Sequence, residues 1–492
     1  MPTVRPALVA VAATSIALVL GFQLWVSPHN PPGFLDDEAA FALNGSALAQ
    51  GLRDESGALL PVFLPSFGDY KGAAFSYALA PAFAVFGATD RVARLVAALF
   101  GLAAAALVGV LGYRRAGPWI GLAAAVGAGL TPWIFQLSRV AFDASMFPFA
   151  TALVLLAADV WDRSGRLLAV RASALGGALA LLTYAYPAGR LYGPLLAAAL
   201  VVFARPVRLR SLAGAWLAYA VFLVPLALYR IRHPSGIAAR YHETAFSTGS
   251  MSLPGIAGHA FVNYLDDLNP WHWVVSGDRK PYADVWGTPQ LLAAVAALAA
   301  IGVVEIARRR RERFWLYAIA AYLLSAVPAS LTVDRHHALR LSAMPACVAV
   351  LAIPGLQAVA RLGRPLLVSA AVLLAAATLV EWAFFVDRYD DRGGSRTAVF
   401  EAGVPALVQR GLAGGRTIYV DYDDAFSLTM GRWFAVSHGL PTSRVARLAD
   451  GGIPPNGSMV LGRVQSCDFV CVRIAEADTF WLAVAKGPKP GG

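Results

Sequence analysis

About eleven apolar runs, each close to the length needed to cross a membrane, dominate this 492-residue sequence. A transmembrane helix takes roughly 20 apolar residues. Apolar residues make up 58% of the chain and charged residues only 14%, whereas charged residues form about 25% of soluble domains. A water-soluble globule is therefore excluded. The runs are centred near residues 7–26, 91–113, 118–136, 141–161, 172–186, 189–204, 211–229, 287–306, 314–331, 341–360 and 366–386.

Arginine clusters fall in alternate gaps between these runs. They are Arg114–Arg115, Arg163/Arg166/Arg171, Arg205/Arg208/Arg210, Arg308–Arg311 with Arg313, and Arg361/Arg364. The positive-inside rule makes these gaps cytoplasmic, together with the N-terminus. The outer segments are then 27–90, 230–286, 332–340, two very short turns, one of which contains Arg139, and the tail from 387. We expect the first run to be an uncleaved span, because no small-residue cleavage pattern is clear after it.

Residues 72–88 form one further apolar run that conflicts with this count. If they crossed the membrane, every later arginine cluster would move to the outer side. The alternation of the arginine clusters therefore predicts that residues 72–88 form a helix that lies in the outer interface or re-enters it.

The soluble tail has a different composition from the spans. Helical spacing is present over 399–413, and residues 417–420, 457–463 and 468–474 are typical of short strands. The sequence thus predicts an all-α polytopic membrane domain over 1–386, with interfacial helices in its first outer loop. A small extracytoplasmic α/β domain follows over 387–492.

Net charge and cysteine content exclude other classes. The charge of +11 is spread over short clusters between apolar runs, so a nucleic-acid partner is not expected. Three cysteines cannot build a disulfide scaffold or a cysteine-rich metal site. Cys347 lies within a span, while Cys467 and Cys471 lie in the outer tail and could form a bridge if a turn intervenes.

Adjacent carboxylates just beyond the first span are the first candidate for chemistry: Asp36, Asp37 and Glu38. A carboxylate there could act as a general base towards a hydroxyl, or could bind a divalent cation. The alternative is that these residues merely cap and solvate the start of a helix over 38–52.

Cations on the outer side are the second candidate. Lys71, next to Asp69 and Tyr70, suits a phosphate on a lipid carrier, or is an interfacial lysine that extends to water. Arg139 opposes the positive-inside bias. It is expected to pair with Asp143, four residues later, or with a phosphate.

Polar groups in two later outer loops are the third candidate. His337 and Arg340 could contact a substrate phosphate or sugar, or anchor the interface. Because His336 and His337 are adjacent rather than helically spaced, a shared metal is not expected. Loop 230–286 adds aromatic and polar side chains, among them His242.

The order of these elements resembles the GT-C membrane glycosyltransferases, specifically the bacterial relatives of dolichyl-phosphate-mannose protein mannosyltransferases and the aminoarabinose transferases (glycosyltransferase family 39-like). The resemblance covers about residues 7–361. The matching words are DE at Asp37–Glu38, GLRDESGALLPVFL, GDYKGAAFSYALAPAFAVFG, RVARLVAALFGL, TPWIFQLSRVAFDASMF and HHALRLSAMPACVAVLAIPGL.

This resemblance implies an inverting enzyme that moves a sugar from a polyprenyl-phosphate carrier to a lipid, glycan or protein hydroxyl outside the bacterial cytoplasmic membrane. The family's catalytic Asp corresponds to Asp37, and its donor-phosphate Lys to Lys71. Gly72 and Ala73 replace the proline pair that usually follows that Lys. Arg139 matches a Ser-Arg word, and His337 with Arg340 matches a late outer turn. No cofactor is required, although a divalent cation is possible.

Two alternatives stay open from the sequence. A flippase or transporter for lipid-linked sugars would be expected to consist of paired halves and to carry ionisable groups inside its spans. An enzyme that transfers or polymerises oligosaccharides would be expected to need a metal at Asp36 and Asp37.

Overall fold

A computed structural model describes residues 6–27, 29–67, 69–163, 167–233, 244–246, 251–309, 312–463 and 471–486. The chain divides into two compact units. The first unit comprises Met1–Trp25, Ala97–Arg139 and Asp143–Arg388. The second comprises Val26–Val96, Val140–Phe142 and Tyr389–Gly492, so it joins the first outer loop to the tail. The sequence placed a boundary near residue 387 but did not predict this grouping.

All of the predicted apolar runs contain α-helix. In chain order the helices are α1 Pro6–Leu24, α2 Asp36–Gly51, α3 Ala74–Phe86, α4 Asp90–Ala116, α5 Pro118–Gly129, α6 Pro132–Leu137, α7 Phe147–Asp162, α8 Leu168–Ala185, α9 Gly189–Phe203, α10 Leu209–Arg232, α11 Leu253–Asp267, α12 Ala293–Arg309, α13 Arg313–Ser325, α14 Val327–Ser330, α15 Met344–Ala360, α16 Arg364–Asp391, α17 Val404–Leu412 and α18 Ala425–Ser437. The prediction of a mostly helical chain is therefore confirmed.

Five helical segments in the described part of the chain are long and apolar enough to cross a membrane by length and composition. They are Asp90–Ala116, Asp143–Asp162, Leu168–Ala185, Pro206–Arg232 and Arg364–Arg396. The other apolar helices are shorter, so the total of about eleven spans stays a prediction. Helix α3 has 13 residues, fewer than the roughly 20 needed to span, as expected for a helix that does not cross.

Glycines allow the closest helix contact in the first unit. A Cβ atom on Gly302 of α12 would lie 2.0 Å from the carbonyl oxygen of Leu351, and one on Gly355 of α15 would lie 1.9 Å from that of Leu298. Any larger residue would force the two backbones apart. This is the small-residue packing that lets helices associate in a bilayer, where burial of apolar surface from water gives no drive.

The second unit contains the β-structure. A hairpin pairs β1 (Phe63–Ser66) with β2 (Asp69–Gly72). The strands of the tail are β3 Ile418–Val420, β4 Val445–Arg447, β5 Met459–Arg463, β6 Cys471–Ala477 and β7 Phe480–Ala485. They form a five-stranded sheet in the order β4-β3-β5-β7-β6. Strand β3 runs parallel to β4 and β5, and β7 runs antiparallel to β5 and β6.

Trp433 of α18 joins the two sequence segments of the second unit. Its indole Nε1 donates a 2.8 Å hydrogen bond to Asp90. Its ring stacks on Phe34 and Phe83, with centroid distances of 5.5 and 5.9 Å. The side chain is fully buried, so tail and first loop share one core. Cys471 is disulfide-bonded, Cys347 is free and buried, and Cys467 lies outside the described residues.

We expect loops 27–90 and 230–286 and the tail to be labelled from outside intact cells, because the arginine clusters occupy the opposite gaps. Cysteines introduced at Ser56, Ser276 and Ser458 should react with a membrane-impermeant maleimide. A cysteine at Gly363, between Arg361 and Arg364, is the matched cytoplasmic control and should react only after the cells are opened. The reverse pattern would contradict the topology.

Candidate functional site in the second unit

Helix α2 presents its first-turn carboxylates at the end where backbone N–H groups are unpaired. Asp36, Asp37 and Glu38 occupy that turn, and negative charge is favourable there. The backbone N–H of Asp37 donates to Asp36 Oδ1 at 2.7 Å. The Asp37 side chain is 36% exposed, so it combines a fixed backbone with access to solvent.

Glu38 is held differently from its neighbours, because it has no exposed surface. Its Oε1 accepts from Arg94 Nε at 2.9 Å and from the backbone N–H of Ala141 at 2.7 Å. Its Oε2 accepts from Arg94 Nη2 at 2.7 Å and from the backbone N–H of Leu35 at 2.9 Å. With two donors on each oxygen, the carboxylate is fully satisfied. Its position suits holding α2 in place.

Lys71 faces Asp37 from the hairpin. Strand pairing places Lys71 opposite Leu64, and the Lys71 ammonium donates to Asp37 Oδ1. The ammonium also lies 4.8 Å from the ring centre of Phe67 and 5.3 Å from that of Phe41. Aromatic faces attract cations, so the lysine side chain is positioned on two sides and is only 17% exposed.

The tail adds charges to this group. Arg463 Nη2 lies 3.6 Å from Glu401 Oε1, and the backbone N–H of Arg463 donates to Asp424 at 3.1 Å. Burial and the neighbouring Asp37 carboxylate raise the pKa of Asp36, while Lys71 and Arg463 counteract this. The site is therefore a carboxylate pair held between one cation from the hairpin and one from the sheet.

Glu401 is a buried acid in a strained position. It is 3% exposed, has a φ of +50°, and its Oε2 has no hydrogen-bond partner among the described residues. Burial first, and the Asp36 carboxylate second, raise the pKa of Glu401 to about 8. Glu401 is thus neutral at pH 7 while the adjacent aspartates face the cations.

Arg139 belongs to the first unit, where it binds backbone. Its guanidinium donates to the carbonyl oxygens of Gln23 and, at 2.9 Å, Trp25, and it lies 4.9 Å from the ring centre of Phe135. Those carbonyls end α1, where a cation is favourable. Asp143 is buried at the start of a short 3₁₀ turn.

His337 and Arg340 lie in a polar cluster of the first unit. His337 Nε2 lies 3.1 Å from the Tyr282 hydroxyl, and its Nδ1 lies 3.2 Å from Asp278. Arg340 donates to Thr332 at 2.8 Å and pairs with Asp334 at 3.1 Å. Arg340 is thus engaged within its own loop, and His337 is engaged by the segment that contains Asp278 and Tyr282.

Burial shifts two pKa values in the same cluster. Desolvation raises the pKa of Asp284 to about 7, although the Asp278 backbone N–H and two glutamine amides donate to it. Desolvation and then His272 lower the pKa of His336 to about 4. His336 is thus neutral at physiological pH, as expected for a buried imidazole.

Of the predicted site residues, the structure gathers the early ones in one place. Asp36, Asp37 and Glu38 share the start of α2, and Lys71 reaches Asp37 from β2, which also contains Asp69 and an exposed Tyr70. Arg139, Asp143, His337 and Arg340 belong to the first unit, and His242 lies outside the described residues. Sequence reasoning missed Arg94, Phe67, Glu401, Phe426 and Arg463. No local motif marks these five residues, since their partners are distant in sequence.

A metal ion has no evident set of ligands here. The described residues contain no group of three or more His, Cys, Asp or Glu side chains that could hold one, and Asp37 already faces an ammonium. These residues do not by themselves fit a resident metal, and the possible binding of a divalent cation stays a prediction.

Comparison with known proteins shows the fold. No protein-family model and no curated protein sequence matches the chain. Among solved structures, ArnT from Cupriavidus metallidurans bound to undecaprenyl phosphate matches with a TM-score of 0.62 at 14% identity, covering 99% of this chain and 100% of ArnT. An Archaeoglobus fulgidus oligosaccharyltransferase tethered to an acceptor peptide matches at 0.54 and 14% identity, covering 93% and 69% of the two chains.

A third structure is AglB from Archaeoglobus fulgidus in complex with an inhibitory peptide and a dolichol-phosphate. It matches with a TM-score of 0.52 at 15% identity over 88% of this chain and 64% of AglB. The chain therefore has the fold of the GT-C membrane glycosyltransferases, and the resemblance seen in the sequence is confirmed at the level of fold.

We predict that Glu401→Gln is more stable than wild type, and that this difference in stability grows as pH rises from about 4.5 to about 8. The folded carboxyl has a raised pKa, so the folded state holds a proton that the unfolded state has released over that window. Stability is then lost as pH rises in the wild type but not in the glutamine variant. Melting temperatures of both proteins across pH 4–9 test this, and a difference independent of pH would contradict it.

Proposed function

We propose that the chain is an inverting glycosyltransferase that transfers a sugar from a polyprenyl-phosphate carrier to an acceptor hydroxyl on the extracytoplasmic side of a membrane. The observation that carries this proposal is the Asp37–Lys71 pair at the start of α2, in a fold shared with structures that contain undecaprenyl phosphate and dolichol-phosphate. The bacterial cytoplasmic membrane is the location we propose, because the arginine clusters follow the positive-inside pattern.

Lys71 is suited to bind the donor phosphate. Its ammonium is desolvated and fixed by Phe41 and Phe67, and a preorganised charge in a site with little water stabilises developing negative charge strongly. A phosphate dianion would compete with Asp37 for this ammonium. Binding of the donor would thus release the Asp37 carboxylate from its resting partner.

Asp37 is suited to act as general base. Its carboxylate takes the proton of the acceptor hydroxyl while the hydroxyl oxygen attacks C1 of the sugar. The bond between C1 and the phosphate oxygen breaks, and its electron pair stays on the phosphate, next to Lys71. A single displacement of this kind inverts the anomeric centre. Asp36 supports the site electrostatically, and Glu38 holds α2 against Arg94.

The remaining predicted residues receive supporting roles in this proposal. Arg139 holds the end of α1, and Arg340 orders its own loop through Thr332 and Asp334. His337, next to Tyr282, and His242 stay candidates for contact with the substrate. The acceptor could be a lipid, a glycan or a protein hydroxyl, and a divalent cation is given no step.

We expect Asp37→Asn to lower the transfer rate about 10²–10⁴-fold, because a general base lost from the acceptor side costs that much. Asp36→Asn should cost less. The assay incubates purified protein with a panel of polyprenyl-phosphate sugars and scores release of the carrier by mass spectrometry, with melting temperature as the control for folding. If Asp36→Asn silences the enzyme and Asp37→Asn does not, the base is Asp36. If the wild type releases the carrier from none of these donors, the hypothesis of a transporter replaces that of a transferase.

We expect Lys71→Met to weaken binding of undecaprenyl phosphate about 10- to 100-fold, since a charge-assisted contact contributes roughly 1.5–3 kcal/mol. Lys71→Arg should retain part of the affinity. Lys486→Met is the control, because Lys486 is an exposed lysine of the tail and has no role in the proposed site. If wild type and Lys71→Met bind undecaprenyl phosphate with equal affinity, Lys71 is an interfacial anchor and not a phosphate ligand.

A further inference from the structure

Four side chains of the second unit form a continuous series of contacts from the hairpin to the tail. The Lys71 ammonium lies 4.8 Å from the ring centre of Phe67. The ring of Phe67 stacks on that of Phe426, with centroids 4.3 Å apart and planes 5° from parallel. The guanidinium of Arg463 lies 4.5 Å from the ring centre of Phe426. The two cations are thus connected through two stacked rings.

Phe67 adopts a backbone conformation that disfavours a bulky side chain. It follows β1 at the hairpin turn with a φ of +51°, in the left-handed region where glycine or asparagine is the usual choice. Such strain persists only where the surroundings enforce it, and it is concentrated at functional sites. The stack with Phe426 is the interaction that retains an aromatic ring at this position.

The tail fixes its end of the series firmly. Phe426 lies in the first turn of α18, whose N-cap Asp424 accepts from the Ser427 backbone at 2.9 Å. Arg463 on β5 donates to Thr479 at 3.2 Å and lies near Glu401 at 3.6 Å. The Phe426 ring is therefore held between a capped helix and an arginine anchored on the sheet.

We propose that Phe426 of the tail is a positioning residue for Lys71, acting through the ring of Phe67. The tail then takes part in binding the donor phosphate. Loss of the Phe426 ring frees Phe67 to leave its strained turn, and the hairpin no longer presents Lys71 at the start of α2. This inference rests on the phosphate-binding role proposed for Lys71.

The affinity of the purified full-length protein for undecaprenyl phosphate tests the proposal. Phe426→Leu should weaken binding about 2- to 10-fold, the range expected from loss of one aromatic pair, while Phe426→Tyr should stay within about twofold of wild type. In a Lys71→Met background, Phe426→Leu should have no further effect, because residues that act through one contact are not additive. A merely structural role would give the same loss in both backgrounds.

Two further variants keep the test independent of folding. Phe67→Gly suits the positive φ but removes the ring that contacts both Lys71 and Phe426. It should therefore weaken binding at least as much as Phe426→Leu, and its melting temperature is measured alongside to check folding. Tyr422→Leu is the matched control, because Tyr422 is also a tail aromatic that contacts an arginine, Arg447 at 4.7 Å, and is not part of the series. Its affinity should equal that of wild type.

The outcomes separate this inference from the proposed function. If Lys71→Met binds undecaprenyl phosphate as tightly as wild type, the role of Lys71 fails, and the inference fails with it. If Lys71→Met weakens binding but Phe67→Gly and Phe426→Leu do not, only the inference is overturned. A full, additive loss from Phe426→Leu in the Lys71→Met background would also overturn it.

Discussion

The buried ion pair between Glu38 and Arg94 is the interaction on which the rest of the candidate site depends. A carboxylate with no exposed surface is tolerated only when its oxygens are satisfied and a counter-charge is close. Arg94 supplies the charge from α4 and also donates to the carbonyl of Gly33 at 2.5 Å, so it holds both α2 and the segment leading into it. Asp36 and Asp37 are placed by that pair.

Much of the fold could be predicted because membrane insertion leaves a strong signal in the sequence. Apolar length predicted the long helices and helical spacing over 399–413 predicted α17. The residue types of 417–420, 457–463 and 468–474 predicted β3, β5 and part of β6. Helix α18 and strands β4 and β7 were missed, because these elements are too short for a clear periodicity of apolar residues. The joining of loop 26–96 with the tail was also missed. It depends on Trp433 packing against Phe34 and Phe83, which are ordinary apolar residues in the sequence.

The site was predictable to the extent that charge in an apolar chain is informative. Asp37 and Lys71 stood out because a charge next to a membrane is costly unless it is used or hydrated. The same reasoning also selected Arg139 and Arg340, whose guanidinium groups the structure places against backbone carbonyls and loop oxygens. Charge alone therefore identifies an unusual residue but does not distinguish a substrate ligand from a structural donor. The hydrogen-bond partners and the exposure of each side chain are needed to make that distinction.

The three carboxylates of this turn differ in their surroundings. Glu38 has a complete set of donors and no exposed surface. Asp36 carries a raised pKa because it is buried next to a second carboxylate. The Asp37 side chain is 36% exposed, which leaves room for an acceptor, and its partner is the Lys71 ammonium, which a phosphate can also bind. The chemistry proposed for Asp37 thus follows from the position it occupies rather than from its residue type.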